Sequence, residues 1–155
     1  MKYEKVINKE NIKKQTITFV FIIAFIIGFK SIFGDKNTLI GVTTITAMLM
    51  FTNVDLTMSP LKNLMQLIAL NIITGVGAYI ALLNPWIGIP INFAIIFIIN
   101  YRLYFNLKEP LYVPFTLQYA FILATPVTLK EMPIRLASLL VAPIAIIIFQ
   151  MLFNR

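Results

Sequence analysis

The 155-residue chain contains no cysteine and no histidine. The first absence removes disulfides and thiolate chemistry, and the second removes imidazole metal ligands and imidazole proton relays. Charge is scarce too, at 12% of residues, and the acidic side chains avoid the apolar runs. Glu4 and Glu10 lie in a basic N-terminal stretch, and Asp35, Asp55, Glu109 and Glu131 lie in loops or at helix ends. No carboxylate is therefore near the middle of a span, where a proton-coupled carrier commonly keeps one. Asp55 and Glu131 come nearest, and their plain reading is as solvated loop charges. No P-loop lysine, His-Glu metal motif, serine elbow or usefully spaced carboxylate pair occurs. The sequence predicts no enzyme, no metal and no cofactor.

What remains is apolar. Hydrophobic residues make up 59% and the mean hydropathy is +0.88, more than a soluble domain of this size can bury. The fold class expected is all-α, an integral membrane bundle of about six transmembrane helices forming one domain in the lipid bilayer. The spans are about 16–33, 38–52, 61–83, 87–105, 111–129 and 134–153. Residues 1–15, with Lys2, Lys5, Lys9, Lys13 and Lys14, read as a basic cytoplasmic lead-in, and no small-residue cleavage site follows them. A net charge of +7 would suggest nucleic acid for a soluble protein. Here it fits the positive-inside bias instead, with nine of the 13 basic residues on the N-terminal side of the bundle. That places the N-terminus in the cytoplasm. Ile over Ala and Lys over Arg suit an AT-rich bacterial genome, hence a multi-pass protein of the bacterial plasma membrane.

The polar residues inside the spans carry the functional argument. In the segment 111–135, Pro114, Thr116, Gln118, Tyr119, Thr125 and Pro126 interrupt a stretch long enough to cross a bilayer. Proline releases a carbonyl from the helical ladder, which hydrocarbon cannot solvate. Shifting the sequence by 73 residues without gaps lays 38–62 over 111–135. Pro60 then meets Pro133, Lys62 meets Arg135, Gly41 meets Pro114, and Thr43, Ala47, Thr52, Val54 and Leu56 meet identical residues. Two three-span halves related this way are inverted, because the span number in each is odd. Inverted repeats with Gly- or Pro-interrupted helices mark many secondary transporters, whose site lies near the midplane. Gly41, Pro114, Pro126 and Pro143 are thus the expected helix interruptions, Pro143 as a kink; the alternative is that Gly41 and Pro114 only adjust packing.

Candidate substrate contacts are Arg135, Thr43, Thr46, Thr116, Gln118, Tyr119 and Asn71. Arg135 would pair with a carboxylate ligand; its plain roles are snorkelling or pairing with Glu131. The stripe of Asn71, Thr74, Gly75, Ala78 and Ala81 reads as close helix packing, with Asn71 able to bond across helices or to a substrate.

The segments TLIGVTTITAMLMFTNVDLTMSPLKNLMQLIALNIITGVGAYIA and FTLQYAFILATPVTLKEMPIRLASLLVAPIAIIIFQMLFNR together resemble one half of the fusaric-acid-resistance-like family, also called the aromatic acid exporter family. The similar features are six short spans, a Thr-rich second span, a basic residue opening a third span with a glycine run, a Thr/Pro fifth span, and a sixth opening with Arg135. The resemblance implies a bacterial inner-membrane exporter of small aromatic or weak organic acids, driven by the proton gradient. Members commonly carry a second membrane half or a cytoplasmic domain, so this chain is expected to need a homo-oligomer or a second half. Two other classes stay open: a non-transporting membrane scaffold or assembly subunit, and an oligomeric channel lined by Thr and Asn.

Overall fold

A computed structural model describes residues 9–51, 59–103 and 110–153. Among them every regular element is helical. In order these are α1 (Lys9–Phe33), a 3-10 turn (Asp35–Asn37), α2 (Thr38–Met50), α3 (Pro60–Leu83), α4 (Pro85–Leu103), α5 (Tyr112–Ala124) and α6 (Met132–Phe153).

Chain punctuation sets the boundaries. Gly34, at φ 81°, takes a conformation that side chains disfavour and closes α1 with an N–H bond to Lys30 O at 2.8 Å. Pro60 occupies the first turn of α3, where its missing N–H costs nothing. Asn84 stays extended and accepts the Trp86 N–H at 2.9 Å, which caps α4. Glu131 likewise folds back on the Thr128 N–H at 2.9 Å ahead of α6.

Helices α1, α3, α4 and α6 are each long and apolar enough to cross a membrane. The second and fifth are not. Each has 13 residues, about 20 Å of helix against about 30 Å of hydrocarbon. The fifth span, expected to reach residue 129, ends at Ala124 because Thr125 precedes Pro126 and takes φ −120°, ψ 72°. The first helix starts earlier than expected, at Lys9, with its apolar part at Gln15–Phe33. Residue 52 and residues 104–105, the expected ends of spans two and four, lie outside the described residues.

Two expected interruptions are corrected. Gly41 sits inside the unbroken α2, where a Cβ would lie 2.9 Å from the Phe29 ring; it lets α1 approach. Pro114 lies in the first turn of α5, where no helical bond is lost. Pro126 ends α5 and Pro143 lies within α6. Pro90, inside α4, is a further interior proline.

Helices α2, α3, α5 and α6 form the centre: α2 and α3 each pack on both α5 and α6. Ile40, Phe51, Phe115, Tyr119, Leu139 and Ile146 fill the space between them. Phe51 meets Phe115 edge-on at 6.1 Å. Around this core α4 lies along α3, and α1 lies along α2 with Phe29 against Gly41; Phe21, Phe25, Phe29 and Phe33 share one face of α1, and Phe21 stacks on Phe149 of α6. The apolar windows of α3 and α6 are 44% and 50% buried, those of α1 and α4 only 6% and 17%. The latter two are peripheral.

The tightest turn, between α3 and α4, makes a measurable prediction. A Cβ on Gly88 would sit 2.6 Å from the carbonyl oxygen of Ala81, and backbone cannot step aside as a side chain can. Gly88→Ala should lower stability in detergent by about 1–3 kcal/mol. Gly28→Ala, with nothing near its Cβ, should be neutral or stabilise by up to about 1 kcal/mol.

Candidate functional site

Pro143 has no N–H, so the Leu139 carbonyl one turn earlier in α6 loses its helical partner. Asn71 of α3 supplies one, its Nδ2 donating to Leu139 O at 3.1 Å. A carbonyl only accepts, so this bond fixes the orientation of every amide that follows. Asn71 presents Oδ1 to Gln118 of α5, whose Nε2 donates to it at 2.8 Å. Gln118 in turn presents Oε1 to Thr43 of α2, whose hydroxyl lies 3.3 Å away. Thr43 has a nearer acceptor within its own helix, Ile40 O at 2.9 Å, so this last link is the weakest. One polar series joins all four central helices. Its three side chains are buried at 3%, 3% and 0% exposure for Thr43, Gln118 and Asn71, so their polar groups serve one another.

The other expected contacts are dispersed. Tyr119 is buried and its hydroxyl donates to Asn92 Oδ1 at 2.6 Å, tying α5 to α4. Thr46 is half-buried and bonds back to Val42 O at 3.0 Å. Thr116 Oγ1 is out of solvent and has no partner among the described residues. Arg135 is not part of the central series. It lies a helix end away, 1% exposed, at the junction of three elements. Its Nη2 donates to Lys36 O at 3.0 Å, before α2, and to Thr125 O at 2.9 Å, after α5. At the opposite end, Gln150 Nε2 donates to Phe51 O. Helices α2 and α6 therefore run parallel and are tied at both ends.

Asn37, Thr125, Asn92 and Gln150 were not singled out in the sequence as partners. Asn37 and Thr125 are signalled only by their places beside a glycine turn and a proline. Lys62, which the 73-residue overlay pairs with Arg135, is exposed on α3.

Beside Arg135 the Glu131 carboxylate takes the Lys36 ammonium on both oxygens, at 2.8 and 2.9 Å. That bond, with those from the Thr128 N–H and hydroxyl, lowers its pKa from 4.5 to about 2. Glu131 is thus ionised at neutral pH and does not exchange a proton there.

No family model, curated protein or solved structure matches the chain.

Asn71→Leu leaves both Leu139 O and Gln118 Nε2 without partners, and should cost about 1–3 kcal/mol; Thr43→Val should cost less, since Thr43 has its own backbone acceptor. In a Pro143→Ala background, residue 143 regains an N–H for Leu139 O, so the Asn71→Leu penalty should shrink by about 0.5–1.5 kcal/mol in a double-mutant cycle. The lowered Glu131 pKa means its contribution is full above its unfolded pKa and lost as pH falls through the folded one. Thermal unfolding should therefore separate wild type from Glu131→Gln at pH 7, with the difference closing between about 4.5 and about 2.

Proposed function

We propose that the chain is the membrane module of a small-solute transporter, spanning the bilayer six times as two inverted three-helix halves. The observation that carries this reading is the pair of 13-residue helices, α2 and α5, that meet in a buried polar series between longer helices. Helices that stop short of the bilayer thickness and converge on polar groups are how many carriers build a midplane site.

The repeat has further support. Each half runs long, short, long. Exchanging the halves carries the α1–α2 packing onto α4–α5 and α2–α6 onto α5–α3, and leaves α2–α5 and α3–α6 in place. Against it stand the exposed Lys62 and the α1–α6 contact, which is slight where α3–α4 is extensive. Bacterial plasma-membrane placement with a cytoplasmic N-terminus rests on the basic excess on that side. On the opposite side Lys30 and Lys36 pair with Asp35 and Glu131, at 2.7 and 2.8 Å. Small organic acids as cargo, and a second copy or second half as partner, follow from the resemblance to the aromatic acid exporters.

One observation favours a different class. The Thr43, Gln118 and Asn71 groups are mutually bonded, as they would be in a non-transporting assembly subunit whose seam holds four helices together.

Cysteine placement separates the two readings, since the native sequence has no thiol to mask it. Single cysteines at Thr43, Thr116 and Gln118 in proteoliposomes should react with a membrane-impermeant maleimide, and added aromatic acid should change the rate. Absence of labelling from either side, together with aromatic-acid flux no greater than in empty vesicles, would assign the chain to the assembly class.

A further inference from the structure

Arg135 is 1% exposed, yet its charge has no carboxylate within ion-pair distance among the described residues. Its Nη2 carries two hydrogens and faces three acceptors, Lys36 O, Thr125 O and Thr125 Oγ1. Its Nε and Nη1 are out of solvent and have no partner among the described residues, which leaves three N–H donors unmet there. Glu131, the nearest acid in sequence, directs its oxygens at Lys36 and Thr128 instead.

The surroundings add positive potential. Arg135 is in the first turn of the 22-residue α6, and its acceptor Lys36 directly precedes Asn37, the N-cap of α2. Two helix N-termini, each the positive end of a dipole, thus converge on a buried cation. Asn37 itself is 4% exposed and donates Nδ2 to Phe33 O at 2.8 Å, and its Oδ1 is out of solvent with no partner among the described residues. Glu131 acts on this charge only from beyond ion-pair distance and is itself paired with Lys36, so the buried guanidinium has no contact counter-charge, which is unfavourable.

We infer that this junction binds a small monovalent anion, a carboxylate or halide, against Arg135 Nε and Nη1. The anion supplies the missing charge and joins the starts of α2 and α6 to the end of α5. Asn37 Oδ1, an acceptor, is left to a water bound alongside. The site does not depend on the transport reading, because a non-transporting protein needs the same counter-charge.

The test is thermal unfolding of the full chain in uncharged detergent at fixed ionic strength, with chloride, formate or acetate replacing gluconate, a much bulkier reference anion. The expected result is a rise in Tm of several degrees with each small anion. Arg135→Gln should lose that dependence. The wild-type comparison needs no variant, which keeps the test decisive if Arg135→Gln fails to fold. Equal wild-type Tm in all four salts would overturn the site and leave the free N–H groups to buried water. An undiminished anion response in Arg135→Gln would overturn it equally. Failure of aromatic-acid transport would leave both results standing.

Discussion

In hydrocarbon a backbone carbonyl without a donor has nowhere to turn, and Pro143 creates one at Leu139. The rest of the core follows from meeting that need. Asn71 answers it from α3, which sets the direction of its amide, which sets the direction of Gln118, which presents an acceptor to Thr43. A proline on the last helix thereby fixes the polarity of hydrogen bonds on three others. Elsewhere it is side-chain polar groups that are satisfied within their own helix: Thr46 and Thr125 fold their hydroxyls back onto carbonyls of the preceding turn.

The short helices depend on this arrangement. With about 20 Å of length, α2 cannot place both its ends in the headgroups. It is fastened instead at three levels, by Arg135 at its start, Gln118 at its middle and Gln150 at its end. Its threonines lower its preference for lipid and make it fit for a place between α5 and α6. The peripheral α1 needs none of this, since a phenylalanine face and one close approach at Gly41 hold it.

Much of the architecture was legible in the sequence. Helix positions follow from apolar runs separated by Gly34, Pro60, Asn84 and the Thr125-Pro126 pair, because in a membrane those residues leave little choice. The stripe from Asn71 to Ala81 reads directly as a buried face, and it is one. Partner identity was less accessible. That Pro143 frees the Leu139 carbonyl follows from the sequence alone, but that Asn71 answers it depends on how α3 lies against α6. Gly41 and Pro114 read as breaks only because their residue types suggest it; a glycine facing an aromatic ring and a proline in a first turn are both compatible with straight helices. Arg135 is recognisable as unusual, but its placement under two turns rather than in the central series comes from tertiary packing.

The ties at the two ends of α2 have a consequence for how the protein is made. Both join residues 99 positions apart in sequence, Lys36 with Arg135 and Phe51 with Gln150. At roughly 5–20 residues per second, synthesis separates such partners by about 5–20 s. During that interval α2 has α1 beside it but neither of its end ties. The packing of α2 against α6 is therefore a late event, completed only once residue 150 has been made.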